Sequence, residues 1–193
     1  MVIGLTGGIA TGKSHVSRLL ANLGYRIVDA DLITHHLQQP GQPGLKTIVD
    51  HFGSRFLDRS GNLNRRKLGR LVFGSPRKLH QLVRILDPLI RHEIIRQLAT
   101  DWNRKTVLDA PTLFENGYQY LADRIVVVAC SPVHQLQRLH RRDQLPLSAA
   151  SRRIASQWPL AIKERLADVV INSDGTFSQT QHQVIALVHR HQL

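Results

Sequence analysis

The sequence predicts an α/β fold: a doubly wound, five-stranded parallel sheet carrying a helical insertion and a second helical excursion. Three observations lead there. Five short β-branched runs are largely continuous in apolar residues rather than strictly alternating, as strands covered on both faces are. Helical stretches separate them, and βα alternation builds parallel sheets. An octet of phosphate-binding pattern, Gly7-Gly8-Ile9-Ala10-Thr11-Gly12-Lys13-Ser14, stands between the first run and the first helical period.

The first strand is read over Val2-Ile3-Gly4-Leu5-Thr6, and residues 14–23 carry Val16, Leu19, Leu20 and Leu23 at helical spacing. The octet between them matches G-x-x-x-x-G-K-[ST], which chance would place in a chain this long about 1% of the time. A plain Gly-rich turn is therefore a weak explanation. The chemistry needs each residue type for a physical reason. Glycines turn backbone N–H groups inward around phosphate oxygens, Lys13 neutralises β/γ charge, and the Ser14 hydroxyl ligates Mg²⁺. The following helix adds its positive dipole end. Gly8, Ala10, Thr11, Gly12, Lys13, Ser14 and His15 are accordingly expected to hold a nucleoside triphosphate such as ATP.

The second strand, residues 25–28, runs into Asp29-Ala30-Asp31. Asp31 is the best candidate for a general base, since a carboxylate just past this strand can reach both the γ-phosphate and an acceptor hydroxyl. Asp29 lies two residues away and, on an extended backbone, points to the opposite face. The competing reading of the pair is an Asx turn that starts a helix. The alternation then breaks: Pro40-Gly41-Gln42-Pro43-Gly44 punctuates the chain, Asp58-Arg59-Ser60-Gly61-Asn62 marks a tight turn, and residues 68–104 read as largely helical with a break at Pro88.

The third strand, residues 106–108, is followed by Asp109, a position suited to holding Mg²⁺ directly or through water, or equally to capping the next loop. Glu115 is either a surface turn acid or a hydrogen-bond partner for the acceptor. The fourth strand covers residues 124–128, and a helical excursion over about 132–160 follows. On it Arg138 and Arg142, four apart, project from one helix face. A lid carrying them could stabilise charge on a transferred phosphoryl group and exclude water; the alternative is an exposed basic face. The fifth strand covers residues 168–171.

The chain has 193 residues, enough for one good core with a small inserted lobe. Lys and Arg number 26 against 14 acidic residues, a net charge of +12 that favours polyanionic partners. The basic clusters, Arg65-Arg66-Lys67 with Arg70 and Arg138 with Arg141-Arg142 and Arg152-Arg153, are not interleaved with aromatic residues. A base-stacking platform for nucleic acid is thus poorly supported. The eleven histidines lack metal-ligand spacing. Cys130, the single cysteine, is expected to fill the core at a strand end. No apolar run approaches the ~18 residues of a membrane span, and a strand beginning at residue 2 leaves no room for a leader, so a cytoplasmic location is expected.

With these residues in view, the chain resembles the dephospho-coenzyme A kinase family over nearly its whole length. The resemblance rests on Gly4-Leu5-Thr6-Gly7-Gly8-Ile9 leading into the phosphate loop, Asp29-Ala30-Asp31, His51-Phe52-Gly53, Gly61-Asn62-Leu63-Asn64-Arg65 and Pro111-Thr112-Leu113-Phe114-Glu115. It continues through Gln135-Leu136-Gln137-Arg138, Arg142-Asp143, Arg153-Ile154-Ala155-Ser156-Gln157 and Lys163 with Ala167-Asp168-Val169-Val170-Ile171-Asn172-Ser173. It implies one kinase domain of phosphate-loop type with a nucleotide-binding core (1–31, 105–131, 161–193), a helical acceptor region (32–104) and a lid (132–160).

The implied reaction is ATP-dependent phosphorylation, with Mg²⁺, of the ribose 3′-hydroxyl of dephospho-coenzyme A. Asp31 would be the base, Lys13 the phosphate clamp and Arg138 or Arg142 the lid arginine. Arg65, Pro111, Phe114 and Glu115, with Asp31, would meet the acceptor. A monomer or weak oligomer with no specific nucleic-acid partner is expected. Ala10 and Thr11 replace the family's usual Gly and Ser, Asp87 its usual His before Pro88, and Thr112 its usual Leu. The alternatives are another small-molecule or nucleotide kinase of this loop type and, from a different class, a nucleic-acid-binding nucleotide switch.

Overall fold

The apolar runs assemble into one five-stranded parallel sheet of order β2-β3-β1-β4-β5. The computed structural model describes residues 1–100 and 104–190. In chain order the elements are β1 (Val2–Gly7), α1 (Lys13–Asn22), β2 (Arg26–Asp29), α2 (Ala30–Leu37), α3 (Pro43–Phe52), α4 (Arg65–Phe73) and α5 (Pro76–Ala99). They continue with β3 (Thr106–Asp109), β4 (Arg124–Ala129), α6 (Pro132–Asp143), α7 (Leu147–Ala155), α8 (Leu160–Arg165), β5 (Val169–Asn172) and α9 (Phe177–Arg190). All five strands read from the sequence are present, each within a residue or two of its expected bounds.

The chain forms two compact units. The first comprises Met1–Val28 and the described residues from Thr100 onward, and the second Asp29–Ala99. In the first, β1 is central, pairing with β3 from Val2↔Thr106 and with β4 from Ile3↔Arg124. Strand β4 shows why continuous apolar runs were needed. Val126 and Val128 face a core with Ile3, Leu5, Val16, Leu20 and Val184, whereas Val127 and Ala129 face Phe114, Leu160 and Ala167. Successive side chains of a strand point to opposite faces, so a sheet covered on both sides requires an apolar residue at every position. Cys130, just past β4, is buried, and burial pushes its thiol pKa up.

In the second unit α5 packs against α2, α3 and α4 around Ile48, Phe56, Leu68, Val72 and Leu86. The turn at residues 58–62 is an Asx turn: Asp58 Oδ1 accepts from the backbone N–H groups of Ser60 and Asn62 at 2.9 Å each, and Leu57 bridges antiparallel to Leu63. The expected break at Pro88 is not there. Helix α5 runs through it, and the chain breaks instead at residues 74–75, between α4 and α5. Proline removes one intrahelical hydrogen bond, but Leu86 and Ile94, either side of it, are buried, and that packing holds the helix together. Helix α5 ends at Ala99, and the remainder of the expected helical stretch up to Arg104 includes residues 101–103, which lie outside the described residues.

Candidate active site

The phosphate loop leaves the central strand at the point where strand order reverses, the crevice in which open α/β sheets collect ligands. Its glycines answer to geometry. A Cβ on Gly7 would stand 2.5 Å from the Val128 carbonyl oxygen, and Gly12 has φ +88°, a left-handed backbone. Gly12 is also the N-cap of α1 and supplies no side-chain cap; the His15 N–H donates to the Gly12 carbonyl at 2.9 Å, so the Lys13 and Ser14 N–H groups are the first-turn donors offered to an external acceptor. Ala10, at φ 61°, holds a left-handed conformation despite its Cβ. Thr11 is fully buried and its hydroxyl donates to the Gly8 carbonyl at 2.8 Å, so this side chain braces the loop itself. Ser14 is exposed. His15 meets Phe177 edge to face at 4.8 Å, and its Nε2 is buried without a hydrogen-bond partner.

Lys13 forms an ion pair with Asp109, whose side chain is only 5% exposed. Of the two roles open to Asp109 from sequence, capping of the next loop is not what the structure shows. Its carboxylate reaches across from the end of β3 to the loop lysine.

Helix α6 is fastened to the segment after β5. Asp174 accepts from the Ser131 backbone N–H at 2.8 Å and from His134 Nδ1 at 2.7 Å, and the Ser131 hydrogen bond, with His134 behind it, holds its carboxyl below the usual range. One turn on, Arg138 donates through Nη2 to the Ser173 carbonyl at 2.6 Å and through Nη1 to its hydroxyl at 3.1 Å. That buried hydroxyl donates in turn to the Thr11 carbonyl at 2.6 Å, so Arg138 is linked to the phosphate loop through one residue. Arg142 differs. It binds Asp143 at 2.7 Å, as Arg153 does at 2.6 Å, and the Arg142 hydrogen bond in particular keeps the Asp143 carboxyl low.

The stretch after β3 is pinned from beneath. Lys163, fully buried, donates to the Pro111 carbonyl at 2.8 Å and pairs with Glu115 at 2.7 Å, while the Thr6 hydroxyl donates to the same carbonyl at 3.0 Å. Glu115 Oε1 also accepts the Trp158 N–H at 3.1 Å, and Phe114 stacks on Trp158, ring centroids 6.5 Å apart and planes 2° from parallel. Glu115 is thus no free surface acid, although its Oε2 is buried without a partner. Lys163→Met should destabilise the protein by about 3–5 kcal/mol in urea titration, because it strands a carboxylate only 15% exposed, and adding Glu115→Gln should recover most of the loss.

In the helical unit, Asp29 N-caps α2, accepting from the N–H groups of Asp31 and Leu32 at 2.8 and 2.9 Å. The Asx-turn reading therefore holds for Asp29. Asp31 stands in the first turn of α2, exposed, and is not the capping group. Arg65, which starts α4, binds the end of α2 instead, donating to Gln38 Oε1 and the His35 carbonyl at 3.2 Å each.

The dephospho-CoA kinase family profile matches residues 1–179. The chain belongs to the dephospho-CoA kinase family. A dephospho-CoA kinase from Enterococcus faecalis is 42% identical over 185 residues, 95% of this chain and 93% of that one. Two solved structures are also similar. TT1252 from Thermus thermophilus has a TM-score of 0.82 at 27% identity over 98% of this chain and 97% of that chain. Dephospho-CoA kinase from Campylobacter jejuni has a TM-score of 0.74 at 26% identity over 98% and 96%.

The activity is that of the dephospho-CoA kinase family, ATP-dependent phosphorylation of dephospho-CoA, the last step of coenzyme A synthesis. Membership implies ATP as donor, generally with Mg²⁺. The residues fit both: uncapped helix N–H groups and Lys13 suit phosphate oxygens, and Ser14 and Asp109 offer hard oxygen ligands. Among the described residues no helix is long and apolar enough to cross a membrane. For this dephospho-CoA kinase family member, sequence reasoning singled out neither Ser173, nor Lys163, nor the glutamines Gln135 and Gln157 as site residues. One signal was available: Gln135 sits four residues before Leu139 on the buried face of α6, a polar residue at core spacing.

Proposed function

We propose that the chain transfers the γ-phosphoryl group of ATP to the ribose 3′-hydroxyl of dephospho-CoA with its residues in the following roles. Lys13 and the loop formed by Gly8, Ala10, Thr11, Gly12, Lys13, Ser14 and His15 neutralise and orient the β- and γ-phosphates, and Ser14 with Asp109 holds Mg²⁺. Asp31 orients the 3′-hydroxyl and takes its proton as the new O–P bond forms and the β,γ-bridging bond breaks, the electron pair leaving on ADP. Arg138 stabilises charge on the transferred group. Arg142, one turn further along α6, is the second candidate for that role. Pro111, Phe114 and Glu115, with Arg65 and Asp31, serve the acceptor.

A single observation supports this best: Lys13, Asp109 and, through Ser173, Arg138 all converge on one loop at the sheet's switch point. An ADP-coupled assay should give turnover with dephospho-CoA and none above background with adenosine, nucleoside monophosphates or shikimate. Turnover confined to another acceptor removes the proposal. The site lies in a protein with no hydrophobic span among its described helices, and a cytoplasmic location suits its substrates.

A further inference from the structure

The phosphate loop is gripped at one residue from two directions. Gln135, buried on α6, donates from Nε2 to the Ile9 carbonyl at 2.9 Å, and Gln157, just past α7, accepts the Ile9 N–H on Oε1 at 2.7 Å. The Ile9 N–H belongs to the peptide joining residues 8 and 9, and its carbonyl to the peptide joining 9 and 10. Fixing both planes fixes the φ and ψ of Ile9 and the entry into Ala10. Ala10 is where the loop needs help, since φ 61° is a left-handed conformation that a Cβ disfavours.

We infer that Gln135 and Gln157 are positioning residues for ATP: as a clamp on Ile9 they hold Ala10 left-handed and so aim the N–H groups that follow at phosphate. The inference rests on the reading that this loop grips ATP. The clamp also explains why the helical excursion matters to phosphate binding without any of its glutamines meeting the nucleotide. Both ends of it reach the loop, α6 through Gln135 and the turn after α7 through Gln157. It further assigns the Ile9 N–H to Gln157, leaving donors further along the loop, those of Lys13 and Ser14 among them, for phosphate oxygens.

The test is calorimetric binding of ATP to Gln135→Met and Gln157→Met, below the melting temperature of each and with no acceptor present. Each variant should weaken ATP binding about 5-fold, the effect of one net hydrogen bond, while dephospho-CoA binding stays within ~2-fold. In an Ala10→Gly background, where the left-handed turn is free of strain, the same substitutions should lose ~2-fold or less. Unchanged ATP affinity in both folded variants, or an equal loss in the Ala10→Gly background, overturns the clamp. Should a methionine variant fail to fold, amide hydrogen exchange on the native protein decides: the Ile9 amide must be protected, and exchange at the rate of an exposed loop overturns the inference. Native protein that fails to bind ATP removes the reading of the loop itself, whereas native binding with unaltered variants removes only the clamp.

Discussion

Asp31→Asn lowers kcat by ~10²-fold or more while ATP affinity stays within ~2-fold, because a positioned general base contributes about 10²–10⁴-fold and the phosphate grip lies elsewhere. The substitution is close to isosteric and leaves α2 in place, since the cap is Asp29, which accepts from the backbone N–H of residue 31 whatever its side chain. Loss of one acidic group from the first turn costs only about 0.3–1 kcal/mol of helix-dipole interaction. Rapid-quench kinetics separates the chemical step from product release. Full turnover in Asp31→Asn would move the base to another residue.

Lys13→Ala should act twice. Turnover falls by about 10²–10³-fold, the usual effect of removing one group aimed at charge developing in the transition state. Stability falls as well, because Asp109 is left nearly buried with its counter-ion gone. The two effects separate in a double variant: adding Asp109→Asn restores much of the urea midpoint and none of the turnover. If stability and turnover return together, Lys13 is chiefly the structural partner of Asp109. Steady-state assays beside urea titrations of the three variants give the answer.

The sheet was legible because its determinants are local. Val126-Val127-Val128 must satisfy two cores at once, and a buried parallel strand is the structure that such a short, unbroken β-branched run suits best. The phosphate loop was legible for a related reason: its function lies in backbone N–H groups, so Gly12 and Lys13 announce it by residue type. Pro88 misled, since a local rule about a missing N–H was outweighed by burial of Leu86 and Ile94. Arg138 and Arg142 looked equivalent by spacing alone. Only their partners distinguish them: Ser173 follows the fifth strand, 35 residues from Arg138, whereas Asp143 is the chain neighbour of Arg142.

By itself the sequence determined the order of strands and helices, the phosphate loop, the position of Asp31 just past β2, and the family resemblance. The elements, the loop and Asp31 are each written in runs of a few neighbouring residues, and the resemblance in several such runs spread along the chain. The tertiary structure decided which side chains hold that loop and the stretch after β3: Asp109 against Lys13, Ser173 between Arg138 and Thr11, and Gln135 with Gln157 on Ile9 for the loop, and Lys163 under Pro111 and Glu115 for the stretch. Those pairings join residues 35 to 162 positions apart. The physical reason is that a buried polar group must find its partner wherever folding brings one, and a sequence shows the polar group without the partner.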